Sequence, residues 1–190
     1  GYLNSMYQKT RELKVEEIPN IISMYANTSY QAKQAGFDGI ELHCAHGYML
    51  LGSFLSPLKN KRTDEYGGDL MRRARLLFEV VEAIKLKCGD DFPIVLRISG
   101  SEKIPGGSTI EDTLQLIPEL EKRGVDAFEV SGGSQYELPN KIMPSHGEEC
   151  ATNLKEAVRI KEISHVPVLL VGKINDAKLA RSLVEEDKVD

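Results

Sequence analysis

Apolar positions along the chain follow two alternating spacings, which predicts helices and strands in turn. Ile18, Ile21, Ile22 and Tyr25 recur at the spacing of a helix, and Gly36 ends that helix. Four units, each a short apolar strand followed by a helix, come after it. The predicted strands cover residues 39–43, 94–99, 127–131 and 168–171, and the predicted helices cover residues 72–87, 110–123, 154–164 and 176–186.

The strands indicate a parallel sheet. Residues 94–96 and 168–171 are apolar without interruption, as in parallel strands that are covered on both faces. The chain is therefore predicted to be α/β.

A repeated junction indicates how these units are arranged. Residues 36–42 and 124–130 both run from a helix-ending glycine through an aspartate into a strand, and residues 188–190 look like the first half of a third copy. We therefore expect a chain cut short, with four strands of a barrel that normally closes with eight. Such a half-barrel would leave two open edges and an unsealed apolar interior.

Composition excludes several classes of protein. The chain has 190 residues, 41% of them hydrophobic, which is enough for one domain with a core. A net charge of -5 without a run of Lys and Arg argues against nucleic acid as a partner. Three widely spaced cysteines indicate neither a disulfide framework nor a zinc site. Because neither a membrane span nor a signal peptide is evident, we expect a soluble protein of the cytoplasm, with no membrane partner.

The first predicted strand ends in titratable side chains, His43, His46 and Tyr48. The histidines could be metal ligands, but no third ligand is near in sequence and the strand-to-loop position lacks the helical face of a zinc pair, so no metal is predicted. They could instead donate hydrogen bonds to a carbonyl or enolate oxygen, with Tyr48 as the proton donor. The third interpretation is structural: two satisfied polar side chains and a tyrosine that packs in the core.

Other candidates also follow predicted strands. Gly172 and Lys173 precede a helix, which is the geometry of a phosphate cradle or of a simple turn. Residues 131–134, Ser-Gly-Gly-Ser, could let the backbone approach a ligand or could only turn the chain. Arg97 lies near the end of a buried strand, where it could be a cation that binds a ligand or one partner of an ordinary salt bridge. Cys44 is predicted to be a buried thiol without a role.

Residues 35–68, together with Arg73 and the strand at 92–99, resemble the Old Yellow Enzyme family of FMN-dependent oxidoreductases. The resemblance implies a partial TIM (β/α)8 barrel, approximately strands 4 to 7 with their helices. Residues 1–190 would be a C-terminal portion of that FMN-binding domain, lacking the first strands and the eighth. The resemblance is nearest the branch of 2,4-dienoyl-CoA reductase and bile-acid-type enoate reductases. Their iron–sulfur cluster and FAD are expected only in a longer parent chain.

The resemblance also implies roles for the candidate residues. His43 and His46 would bind the substrate's carbonyl oxygen, and Tyr48 would protonate the substrate's α-carbon. The cofactor FMN would be bound by Arg97, Gly172 and Lys173. NAD(P)H would be the reductant, and the substrate would be a small-molecule enone or enoyl thioester. The sequence departs from the family pattern at residues 49–53 and at Arg72-Arg73, where Asn-Arg is usual, so the substrate pocket is expected to differ.

Two alternatives remain at this stage. One is a barrel aldolase or isomerase that uses the Gly172 loop for a substrate phosphate, with Lys173 as its candidate Schiff-base lysine. The other is a truncated barrel that keeps the sequence but binds no flavin, and that pairs with another half-barrel as a homo-oligomer.

Overall fold

The computed structural model describes residues 11–135, 137 and 139–190. Four strands alternate with six helices in this part of the chain. The elements are, in order, α1 (Ile18–Gln34), β1 (Ile40–Cys44), α2 (Met49–Leu55), α3 (Leu70–Cys88), β2 (Ile94–Ser99), α4 (Ile110–Glu121), β3 (Ala127–Ser131), α5 (Leu154–Lys161), β4 (Val168–Leu170) and α6 (Ala177–Glu185). Short 3-10 helices lie at Val15–Glu17 and Pro139–Lys141.

The strands form one parallel sheet in the order β1-β2-β3-β4. This arrangement confirms the α/β class predicted from the apolar pattern. One face of the sheet is the core, because alternate side chains of every strand are buried under the helices. The core residues of this face are Leu42, Cys44, Leu96, Ile98, Phe128, Val130 and Val168, all at most 5% exposed.

The opposite face of the sheet is polar and partly exposed. The register places His43, Arg97 and Glu129 side by side, with Leu169, 38% exposed, at the end of the row. Two predictions are therefore wrong in the described ranges: the strands are not covered on both faces, and the unsealed face is polar rather than apolar. An uninterrupted apolar run predicts a buried strand, but it does not show that the polar residues further along the strands share one open face of the sheet.

The helix α2 was not predicted from the sequence. Its seven residues include Gly52, which weakens a helical pattern, so the sequence alone does not predict a helix here. The glycine is required by packing, because a Cβ at this position would lie 2.7 Å from the carbonyl oxygen of Ala45. The helix therefore lies directly against the end of β1 and fixes the start of the long loop that follows.

An ion pair between a buried lysine and a partly exposed aspartate fastens the other end of the sheet. Lys85 Nζ on α3 lies 2.8 Å from Asp126 Oδ2 and also donates to the carbonyl oxygens of Asp90 and Phe92. The same carboxylate accepts the backbone N–H of Ile94. This contact anchors the start of β2 and the approach to β3, away from the candidate residues at the carboxyl ends of the strands.

No helix in the described ranges is long and apolar enough to cross a membrane.

Candidate functional site

Three rings meet where β1 ends. The ring centroid of His43 lies 5.6 Å from that of His46 and 5.3 Å from that of Tyr48, and the His46 and Tyr48 rings are 6.1 Å apart. His43 comes from the strand itself, whereas His46 and Tyr48 come from the turn before α2. The three residues singled out in the sequence thus form one cluster at the carboxyl edge of the sheet.

The turn that carries them has an unusual backbone. His46 and Met49 have positive φ angles, 67° and 57°, although neither is glycine. Such strain persists when the surroundings hold it. Here the backbone N–H of His46 donates to Ser99 Oγ at 2.8 Å, and its carbonyl oxygen accepts from the backbone N–H of Gln135 at 3.0 Å. The last residue of β2 and the loop after β3 therefore hold the turn in position.

A buried carboxylate also supports this turn. Glu102, 2% exposed, accepts hydrogen bonds from Ser56 Oγ at 2.8 and 2.9 Å and from the backbone N–H of Ser108 at 2.7 Å. A Cβ on Gly47, which has φ 57°, would lie 2.3 Å from Glu102 Oε1. The glycine is thus needed both for the turn and for the close approach of the carboxylate.

His46 is the most enclosed member of the cluster, at 1% exposure. Its Nε2 lies 3.2 Å from Ser131 Oγ, while its Nδ1 has no hydrogen-bond partner in the described part of the chain. Burial lowers the pKa of His46 to about 4, although the carbonyl groups of Gly133 and Gly132 act in the opposite direction. The ring is therefore neutral at neutral pH, and its Nδ1 is buried without a hydrogen-bond partner in the described ranges.

His43 is half-buried, and its proton can be placed. The backbone N–H of Ala45 donates to His43 Nδ1 at 3.4 Å, so in the neutral ring the proton lies on Nε2. Burial, and then the positive charge of Arg97, lower the pKa of His43. His43 thus presents an N–H rather than a charge.

Arg97 lies beside His43 in the register and pairs with Glu129. Its Nη1 is 3.1 Å from Glu129 Oε1, yet that oxygen lacks an aligned hydrogen bond, and Arg97 Nε is buried without a partner in the described ranges. Burial, and then the charge of Glu41, raise the pKa of Glu129, while Arg97 opposes the rise. The contact is an ion pair with imperfect geometry, which leaves hydrogen-bonding capacity on the guanidinium.

Gly172 and Lys173 follow β4, at the same edge of the sheet. Lys173 Nζ donates to the carbonyl oxygens of Ser145 and His146 at 2.8 Å and to that of Glu148, so its ammonium holds a loop. Gly172 has φ 124°, and a Cβ there would meet side-chain atoms at 2.5 and 2.7 Å. The structure places both residues at the predicted edge, with the lysine side chain turned to the chain's own carbonyl groups.

Two polar side chains at this edge carried no signal in the sequence. Thr152 Oγ1 and Asn153 Oδ1 are buried without hydrogen-bond partners among the described residues. They are the side chains that a Cβ on Gly172 would meet, and a Cβ on Gly132 would lie 2.5 Å from Asn153 Oδ1. They come from the start of α5, where an Asn reads as an ordinary helix-capping residue.

Two further features concern the chemistry of the cluster: the cysteine beside it, Cys44, and the side chains that could bind a metal ion. Cys44 is 2% exposed, and burial raises the pKa of its thiol to about 12. A thiol of this kind is inert. Across residues 11–135, 137 and 139–190, no group of three His, Cys, Asp or Glu side chains is placed to hold a metal ion.

Several known proteins are similar to this chain in sequence and in structure. An NADH oxidase of Thermoanaerobacter brockii is 40% identical over 180 residues, which are 95% of this chain and 27% of that protein. The structure of a 2-naphthoyl-CoA reductase in complex with 2-naphthoyl-CoA superimposes with a TM-score of 0.89 at 31% identity, over 96% of this chain and 28% of that one. A morphinone reductase in complex with tetrahydroNAD superimposes with a TM-score of 0.73 at 25% identity, over 97% of this chain and 47% of that one.

These matches fix the fold and the family. The chain spans about a quarter of the length of the curated relative and under half of morphinone reductase, which agrees with four strands of a larger barrel and confirms the partial (β/α)8 fold. The family model for NADH:flavin oxidoreductases and NADH oxidases matches residues 2–190. The chain therefore belongs to the NADH:flavin oxidoreductase / NADH oxidase family, as its resemblance to the Old Yellow Enzymes implied.

Proposed function

We propose that the chain is the substrate-side part of an FMN-dependent oxidoreductase that passes hydride from NAD(P)H to an α,β-unsaturated carbonyl compound. The observation that carries this proposal is the cluster of His43, His46 and Tyr48 beside Arg97 at the carboxyl edge of the sheet. In a parallel barrel this edge is where ligands bind.

The residues present fit FMN in two respects. Arg97 has a buried Nε without a partner in the described ranges, as expected of a guanidinium that completes its bonds with a ligand. Gly132 and Gly172 let the side chains of Thr152 and Asn153 approach the backbone closely at this edge, where Thr152 Oγ1 and Asn153 Oδ1 are buried without partners in the described ranges and could bond a ligand. We assign Arg97 to the flavin ring and the Gly172–Lys173 backbone to the phosphate.

The chain's own groups then have separate tasks. FMN, when bound, supplies hydride transfer. His43 and His46 bind the carbonyl oxygen as neutral donors and stabilise the negative charge that develops there. The Tyr48 hydroxyl delivers the proton to the α-carbon. Arg97 provides a fixed positive charge, and Glu129 on the neighbouring strand holds its guanidinium by an ion pair at 3.1 Å.

An enoyl thioester fits the substrate class better than a simple enone. The neighbour with the TM-score of 0.89 binds 2-naphthoyl-CoA, an aromatic thioester with a conjugated carbonyl group. The donor pair described above recognises only the carbonyl oxygen, which both compounds share. Residues 49–53, where the chain departs from its family, lie on α2 beside the cluster and would contact the remainder of the substrate.

The barrel aldolase or isomerase is less consistent with the geometry. A Schiff-base lysine needs a free amine near a reacting carbonyl. Lys173 Nζ instead donates to three backbone carbonyl oxygens. The flavin-free fragment remains the outcome that the following experiment is designed to detect.

The test is the visible absorption of the purified protein after incubation with FMN and gel filtration. We expect a retained flavin band that NADH bleaches and that an enone or enoyl thioester restores. The variant Tyr48→Phe should slow the restoration by roughly 100- to 10,000-fold, which is the usual contribution of a general acid. Tyr30→Phe, on the outer surface of α1, is the matched control and should restore the band at the wild-type rate. A colourless protein would refute the proposal for this chain.

A further inference from the structure

A buried serine lies in contact with the ring of His46. Ser131 Oγ is 3.2 Å from His46 Nε2, and the two residues are 2% and 1% exposed. Ser131 ends β3 and pairs in register with Ser99 on β2, whose hydroxyl accepts the backbone N–H of the same histidine. Two neighbouring serines thus contact His46, one at its ring and one at its backbone.

The hydrogen-bond count distinguishes the two arrangements that this contact allows. If the Ser131 hydroxyl donates to Nε2, the ring proton is on Nδ1, and this N–H is the one group left without a partner in the described ranges. If Nε2–H donates to Ser131, both the Nδ1 lone pair and the serine proton lack partners there. Because each unpaired buried polar group destabilises the folded state, the first arrangement is favoured.

We propose that Ser131 is a positioning residue that holds His46 as the neutral Nδ1–H tautomer. This inference rests on the proposed function and deepens it. With His43 protonated on Nε2 and His46 on Nδ1, the two histidines hold two N–H donors, and that of His46 is buried without a partner in the described ranges. Such a pair selects a ligand whose polar group is an acceptor, such as a carbonyl oxygen, and disfavours an amine at the same place.

The direct test is the protonation of the ring nitrogens, read by long-range 1H–15N NMR on protein labelled with 15N at its four histidines. The His46 signals are assigned by their loss in His46→Asn. We expect a protonated Nδ1 and an unprotonated Nε2 in the wild type, and a mixed or inverted pattern in Ser131→Ala. Ser131→Thr keeps the hydroxyl and should restore the wild-type pattern.

Ser99→Ala is the matched control, because it removes a buried hydroxyl from the backbone of His46 and not from its ring. Its His46 ring should keep the wild-type tautomer. A protonated Nε2 in the wild type, or an unchanged pattern in Ser131→Ala, would overturn the proposal. This readout needs neither flavin nor activity.

Kinetics separate this inference from the proposed function. In Ser131→Ala, kcat/KM for the enone or enoyl thioester should fall about tenfold, since one of two donors to the carbonyl is lost, while flavin reduction by NADH keeps its rate. A protein that binds no flavin would refute the proposed function, and the NMR pattern would still decide the role of Ser131. An unaltered kcat/KM in a variant with an inverted tautomer would show that His46 does not act on the substrate.

Discussion

At the scale of single residues, the site consists of polar groups held in neutral form. His46 is buried and neutral, and His43 is kept neutral by burial and by the nearby Arg97. Neutral donors suit a reaction in which negative charge appears on a carbonyl oxygen, because their hydrogen bonds to that oxygen become stronger as the charge develops. The consequence is that acid destabilises the folded state, because a buried neutral histidine resists protonation.

This destabilisation gives a pH dependence whose sign can be worked out. The pKa of His46 falls from the ordinary value of 6.5 to about 4 on folding, so below pH 6.5 the unfolded chain binds the proton first. The free energy of unfolding should therefore decrease as the pH drops from 6.5 to 4, by about 3 kcal/mol from this group. The measurement is urea unfolding as a function of pH, with His46→Asn as the comparison. Parallel curves for the two proteins would contradict the assignment.

At the scale of elements, the strands are easier to predict from the sequence than the residues of other units that lie around the site. The strand at 94–99 was predicted with its observed bounds, and β1 is displaced by one residue, because apolar runs determine burial directly. The cluster of His43, His46 and Tyr48 was predicted because its members are close in sequence. Ser131, Thr152 and Asn153 come from other units, and only the parallel register brings them to the same edge.

The helix α2 is not predictable from the sequence because Gly52 has opposite effects on stability: it disfavours an isolated helix, but the packing of the folded chain requires it. Gly52→Ala would favour an isolated helix by roughly 1 kcal/mol. In the fold its Cβ would lie 2.7 Å from the carbonyl oxygen of Ala45, and overpacking of this kind costs about 1–3 kcal/mol. The two effects together give a net loss of up to about 2 kcal/mol in the free energy of unfolding, measured by urea denaturation.

The control for this substitution is Gly147→Ala, since a Cβ there has no atom within 4 Å and the backbone is outside the left-handed region. Its stability should stay within about 0.5 kcal/mol of the wild type. A stabilised Gly52→Ala protein would mean that α2 can move away from β1, and that Tyr48, at the start of the helix, is not held by it.

At the scale of the whole molecule, the sheet has two unlike faces and two unlike kinds of strand. The helices cover one face, while the row from His43 to Glu129 is left on the other. The strands β2 and β3 are paired on both sides, whereas β1 and β4 are each paired with one strand in the described ranges. The site residues thus lie on the face and edge that a complete barrel would enclose.

This arrangement predicts which backbone N–H groups exchange with solvent. The backbone N–H of Ile40 donates to the carbonyl oxygen of Pro93 and so points to β2; because backbone groups alternate along a strand, the N–H of His43 points to the open edge. The backbone N–H of Val168 donates to Asp190 Oδ2, so the N–H of Leu170, two residues further on, also points away from β3. In the 190-residue chain, these two amides should exchange at least about 100-fold faster than those of Leu96 and Ile98 in the middle of the sheet. Hydrogen exchange followed by NMR measures this difference. Equal protection would show that another strand, from a second copy or from more of the polypeptide, pairs with each edge and closes the face on which the site lies.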